Sequence, residues 1–137
     1  MMTEIKTDGF ILKCEESEGK LTLTGYEGSG AILDLTSYSN LAVIDKKAFL
    51  SCKSLRKVYL PSSIEYLGDW CFSKCDNLKT VKIDKPFASN IFGRGVFEGS
   101  YRIKEISFGG TDSSSLSKLL ALNVSLLPND HLLRSTP

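Results

Sequence analysis

Four cysteines are the residues of this chain best suited to chemistry: Cys14, Cys52, Cys71 and Cys75. Thiolates can hold zinc, but such sites gather convergent loops and commonly use a Cys-x-x-Cys pair. Here Cys71 and Cys75 are four apart, and Cys52 precedes Cys75 by 23 residues. Cys52 and Cys75 fall on an apolar position that recurs along the chain. A free thiol at such a position behaves as a small hydrophobe. Core packing is therefore the expected role, with a Cys52–Cys75 disulfide as the alternative if neighbouring segments bring the pair within bonding distance. His131 stands beside Asp130 with no nucleophile to serve, and reads as a solvated histidine. The glycines of GYEGSG, residues 25–30, precede a strand. A dinucleotide loop needs strand, glycines, then helix, so this stretch reads as a turn. Glu15 and Glu16 read as solvated carboxylates in a loop, and Asn123-Val124-Ser125 as a chance glycosylation sequon. No catalytic residue, cofactor or metal is expected, because no acid–base or ligand constellation is assembled.

The elements that must position any site come from an internal repeat. Residues 44–66 align with the chain from Leu67 onward at a shift of 23. The pairs include Ile44/Leu67, Ala48/Cys71, Phe49/Phe72, Cys52/Cys75, Leu55/Leu78, Val58/Val81 and Leu60/Ile83. A third copy follows at a shift of 25 through Phe92, Val96, Phe97, Ile103, Ile106 and Phe108. The two extra residues fall in the connection 84–91. In LRKVYL, Val58 and Leu60 share one face and Lys57 and Tyr59 the other, the alternation of a strand. Pro61 lacks an amide donor and ends it. GDWCFSKC then spaces Cys71, Phe72 and Cys75 like a single short helical turn. One unit cannot bury its own apolar face, so the copies must stack, with their strands in parallel.

The run IDKKAFLSCKSLRKVYLPSSIEYLGDWCFSKCDNLKTVKI resembles the BspA-like class of leucine-rich repeats. Its marks are a period near 23, an Ala-Phe pair, a Cys three residues later and a Leu-x-x-Val-x-Ile-type strand. GKLTLTGYEGSGAILDL is similar to the hairpin and half-repeat that open such arrays. The resemblance covers about residues 19–108 and departs from the pattern at Ser100, where a Cys is expected. It implies an α/β repeat fold, mainly β: a right-handed leucine-rich-repeat solenoid with a parallel sheet along one face. It also implies a non-enzymatic role. Members are often bacterial surface proteins that bind host proteins, or modules of larger chains.

A solenoid exposes apolar rungs at its ends unless they are capped. FILKC and KLTLT, joined by EESEG, read as an N-terminal β-hairpin cap. Phe10, Leu12, Leu21 and Leu23 would cover the first rung, and residues 31–35 would start the sheet with Leu33 and Leu35 inward. After Gly109-Gly110, Asp112 can cap a helix bearing Leu116, Leu119, Leu120 and Val124. This reads as a C-terminal helical cap, or as a linker to a further domain. The expected single domain thus comprises a hairpin cap and half repeat over 1–43, three repeats over 44–66, 67–91 and 92–108, and the cap or linker over 109–137.

The chain has 137 residues, 42% hydrophobic and 24% charged, with net charge +1. Charge this even excludes electrostatically driven nucleic-acid binding. No apolar run reaches the roughly 18 to 20 residues that cross a bilayer. Residues 1–9 carry no secretory signal. The chain reads as cytoplasmic, with a cell-surface or secreted location the alternative if a leader has been removed. Beneath the balance, residues 1–43 hold seven acidic and three basic groups, and residues 44–108 hold twelve basic and seven acidic. This asymmetry reads as a steering field for an acidic partner or as a solvated surface.

Function then rests on the outward sheet face. Alternation puts Asp34, Lys57, Tyr59, Thr80, Lys82, Glu105 and Ser107 outside. Lys57, Tyr59, Thr80, Lys82 and Glu105 are the candidate protein-binding residues, with Tyr59 between two lysines as the anchor. Trp70 is a second candidate, because its slot holds Lys47, Trp70 and Gly95 in successive copies. It reads as an exposed contact or as a cover for the neighbouring repeat. The expected partner is a protein, and the chain reads as a monomer or an edge-paired dimer.

Overall fold

Apolar residues at every second position of Phe10–Ser17 bury Phe10, Leu12 and Cys14 on one face. Lys20–Gly28 answers with Leu21 and Leu23. The computed structural model, which describes residues 1–86 and 88–109, pairs these strands antiparallel as β2 and β3. The turn between them is only Glu18-Gly19, both at left-handed φ (54° and 79°). Glu15 and Glu16 therefore lie in β2 and not in a loop. Ahead of them Met2–Thr7 forms β1, antiparallel to β2. Its few apolar residues gave it no strand signature. It forms because β2 offers a free edge of amides and carbonyls that must be paired.

One irregularity in this cap matters for the core. Lys13 faces Gly25, but Cys14 faces Leu23, so Thr24 is an extra residue in β3. A bulge shifts side-chain parity by one. Tyr26 thus joins Leu21 and Leu23 on the inner face, although simple alternation places it outside. The Thr24 hydroxyl ties the bulge down by donating to Lys13 O at 3.1 Å.

Beyond the cap the chain coils. Ile32–Asp34 (β4), Lys57–Leu60 (β6), Thr80–Ile83 (β8) and Glu105–Phe108 (β9) form one parallel sheet. Leu41–Ile44 (β5) and Tyr66–Leu67 (β7) form another edge of each coil. They extend the cap sheet in the order β1-β2-β3-β5-β7, and Leu67 bridges on to Phe92. The expected parallel sheet along one face is the four-stranded one, and among the described residues a second sheet accompanies it. The coil strands of the second were hidden because Leu41–Ile44 is apolar throughout and Tyr66–Leu67 is only two residues long, so neither alternates. Between coils it is held by backbone bonds such as Glu65 N to Ala42 O at 2.7 Å and Gly68 N to Ile44 O at 2.8 Å.

The segments between the sheets are not helical turns. Lys47, Trp70 and Gly95 share a left-handed φ of 58°, 56° and 59°, and Ser51, Lys74 and Gly99 repeat it at 62°, 56° and 81°. Two left-handed residues per coil interrupt any helix and turn amides outward along the stack. Lys47, Phe49 and Ser51 donate to the carbonyls of Asp69, Cys71 and Ser73, and Trp70, Phe72 and Lys74 donate to those of Arg94, Val96 and Glu98, all at 2.8–3.0 Å. Coils approach so closely that a Cβ on Gly68 would lie 2.4 Å from Lys46 N. The only helical element among the described residues is a 3-10 turn at Ser89–Ile91. The helical cap or linker expected after Gly109 lies outside the described residues.

Stacking places like on like. Leu33, Val58, Val81 and Ile106 align across the first sheet, and all are buried. Tyr26, Phe49, Phe72 and Phe97 form an aromatic spine with centroids 4.8, 5.4 and 6.1 Å apart and planes within 16° of parallel. Phe10 closes its first end edge-on, 5.6 Å from Tyr26 and 6.0 Å from Phe49. Ser100 replaces the third cysteine and keeps its hydrogen bond to the preceding coil. The Cys75 thiol donates to Phe49 O at 3.2 Å, and one coil on the Ser100 hydroxyl donates to Phe72 O at 2.7 Å. The same hydroxyl accepts from Cys75 N at 2.9 Å.

Two expectations follow. Phe72→Ala opens the middle of the spine and should cost about 3–5 kcal/mol in denaturant unfolding; a cost below about 1 kcal/mol contradicts the spine. Ser100→Ala strands a buried amide and a buried carbonyl and should cost about 1–3 kcal/mol, while Ser100→Cys should lose less.

Candidate protein-binding face

The outward face of the four-stranded sheet is built by register. Ile32, Lys57, Thr80 and Glu105 are paired strand to strand, as are Asp34, Tyr59, Lys82 and Ser107. Five of the six candidate residues therefore share one face in two adjacent columns. Lys57, Lys82 and Glu105 are exposed, and Tyr59 and Thr80 are half-buried. Ile32 adds an apolar side chain that is 49% exposed. A shallow groove of about 280 Å³ runs beside the second column, lined by Thr36, Tyr59, Lys82, Asp84 and Ser107 among others. Asp34, at the end of that column, accepts from Thr36 N at 3.1 Å and Thr36 Oγ1 at 2.6 Å. These bonds, the hydroxyl's first, hold its carboxyl below the usual value.

Trp70 is not on this face. It lies in the left-handed slot of its turn segment and is half-buried rather than exposed. Its ring sits under Lys47, whose Nζ is 5.7 Å from the centroid. A Cβ on Gly95 would lie 2.5 Å from its Nε1. Trp70 thus spans three coils, and the variation of its slot reflects a backbone requirement for left-handed φ.

A third column escaped the sequence reading. Arg56, Lys79 and Lys104 precede the strands and are linked coil to coil by Lys79 N to Arg56 O and Lys104 N to Lys79 O. The shifts of 23 and 25 that aligned the apolar positions also align these three; the signal was there in the charged positions.

The cysteines offer no reactive site. All four are free thiols and buried. No cluster of three or more His, Cys, Asp or Glu is set to hold a metal among the described residues. Burial pushes the Cys14 thiol up and Cys71 well up. Burial, ahead of the charges of Cys52 and Asp76, pushes Cys75 up to about 12. Burial also raises the Tyr26 phenol, with the adjoining Cys52 second. The stretch at residues 25–30 ends β3 and turns, as its glycines imply. His131 and Asn123 lie outside the described residues.

The thiol result sets an alkaline limit. The fold accommodates the neutral Cys75, whose unfolded value is 9.0. Its contribution is complete below pH 9, and it is lost as pH rises from there through about 12. Thermal unfolding should show Tm falling above pH 9, and Cys75→Ser should flatten that fall. An alkaline limb identical in the variant would assign the loss to other groups.

Comparison with known proteins agrees with this architecture. The profile of the BspA type leucine-rich repeat region matches residues 24–121, in six copies. The crystal structure of a leucine-rich repeat protein from T. pallidum superposes with a TM-score of 0.53 at 22% identity. The match covers 77% of this chain and 64% of that one. No curated protein matches the sequence.

Proposed function

The chain belongs to the BspA-type leucine-rich-repeat family, and from that premise we propose that it is a non-enzymatic protein-interaction module whose sheet face receives a protein partner. The observation that carries this reading is the register of Lys57, Tyr59, Thr80, Lys82 and Glu105 on one outward face beside a groove. A flat, regularly spaced face of mixed charge with a central aromatic is suited to a partner surface. It offers no enclosed, desolvated space in which a small substrate could react. No helix among the described residues is long and apolar enough to cross a membrane. Trp70 supplies a second contact on this reading, away from the sheet.

The test is capture of partners from the native source with wild type and with a Lys57→Glu, Tyr59→Ala, Lys82→Glu variant whose circular dichroism matches wild type. Capture should be lost in the variant, since anchor residues at an interface centre each cost more than about 2 kcal/mol. A partner retained by the variant overturns the sheet-face reading. If that partner is instead lost with Trp70→Ala, the turn segments become the binding surface.

A further inference from the structure

The column Arg56–Lys79–Lys104 immediately precedes the strands that carry this face. Its backbones are joined at 2.9 and 3.0 Å, so its cations repeat about every 4.8 Å, one per coil. All three side chains are exposed, as are Lys57 and Lys82 in the neighbouring columns. None of the four ion pairs among the described residues uses any of these five. The face holds few acids. Asp34 is occupied by Thr36, which leaves Glu105 and Asp84. Like charges set opposite one another across strands repel and destabilise a sheet.

The fold does not require this column. Its first position, Ala31, accepts Arg56 N at 2.7 Å and is neutral. Three residues earlier the same coils pair their charges, with Lys53 Nζ at 2.5 Å from Asp76 Oδ2. A stack of unpaired cations beside a paired one is a repulsion that a bound anionic partner would relieve.

We propose that this column, with Lys57 and Lys82, receives an acidic helical segment of the partner protein, laid along the axis of the coil stack. The proposal rests on the sheet-face reading and names the partner's chemistry. Helix residues at i, i+3 and i+7 lie at rises of about 0, 4.5 and 10.5 Å, against about 0, 4.8 and 9.6 Å for three successive coils. An extended segment repeats its side chains only every ~6.6 Å, so it drops out of register by the third coil. Nucleic acid fits less well, because the chain carries net charge +1 overall and Glu105 stands beside the column. Tyr59 and the exposed Ile32 supply apolar contact for the remaining helix surface.

The experiment uses the full chain and fluorescence anisotropy with three labelled probes. One is a helical peptide bearing Glu at i, i+3 and i+7. The second has the same composition with the Glu residues spread around the helix, and the third is a single-stranded oligonucleotide. Wild type should bind the in-register peptide about tenfold more tightly than its isomer. That affinity should fall about tenfold between roughly 50 and 300 mM salt. Lys79→Thr with Lys104→Thr should weaken binding about tenfold. Lys6→Thr with Lys46→Thr, which removes the same charge elsewhere, should change it less than about twofold. Lys79→Thr/Lys104→Thr should also unfold at a Tm no lower than wild type, because a repulsion has been removed. Equal binding of the two peptides, equal effects of the two double variants, or tighter binding of the oligonucleotide would overturn the proposal. So would no saturable peptide binding by about 1 mM. Failure of the proposal is separable from failure of the face. If Lys79→Thr/Lys104→Thr still captures the native partner that Lys57→Glu/Tyr59→Ala/Lys82→Glu loses, the face stands and the acidic helix falls. If neither variant loses the native partner, both fall.

Discussion

Every feature of this molecule depends on one requirement: each coil must pair its backbone amides and carbonyls with those of the coils beside it. A chain that turns on itself every 23 to 25 residues has no internal partner for those groups, and leaving them buried and unpaired is costly. The stack answers with bonds in both sheets and in the turn segments between them. Once the backbones are locked at that spacing, equivalent residues lie over one another. The aromatic spine follows, as does the absence of a side chain at Gly68, where neighbouring backbones nearly touch. So do the two left-handed residues in each turn segment, which aim successive amides along the stack.

The same requirement explains what could be read in the sequence. Stacking makes a buried position repeat its chemistry, so Phe49 and Phe72, Cys52 and Cys75, and Val58 and Val81 mark the coil in the sequence itself. The first sheet was legible because Lys57–Leu60 and Thr80–Ile83 alternate outward and buried residues. The turn segments misled because Cys71, Phe72 and Cys75 have helical spacing, while the conformation is set by φ at Trp70 and Lys74. Neither residue type advertises a left-handed backbone. Tyr26 was missed because a single inserted residue, Thr24, reverses the parity on which alternation relies. The candidate face was legible for Lys57, Tyr59, Thr80, Lys82 and Glu105, since outward residues are the complement of the buried ones. Trp70 read equally as an exposed contact or as a cover for the neighbouring repeat, because spacing alone does not show that its ring lies against the coils on either side.

The cap and the coils divide the work differently from a hairpin merely laid over an open end. β3 is at once the last strand of an antiparallel meander and the first of a parallel run, pairing with β2 on one side and β5 on the other. Its Tyr26 is the first member of the spine. The cap therefore continues both the hydrogen bonding and the core of the array. It also carries most of the acidic excess, while the coils carry the basic one. The coils thus carry a basic excess of their own, against which the face sets Glu105 and Asp84.

Trp70 has one more consequence. It is the only tryptophan in the chain, and it is sandwiched between the ammonium of Lys47 and the backbone of Gly95. Those two neighbours belong to the coils on either side. The indole is thus an intrinsic optical gauge of coil spacing. Its emission reports separation of the coils that flank it, which lets loosening of the stack be followed in the unlabelled protein.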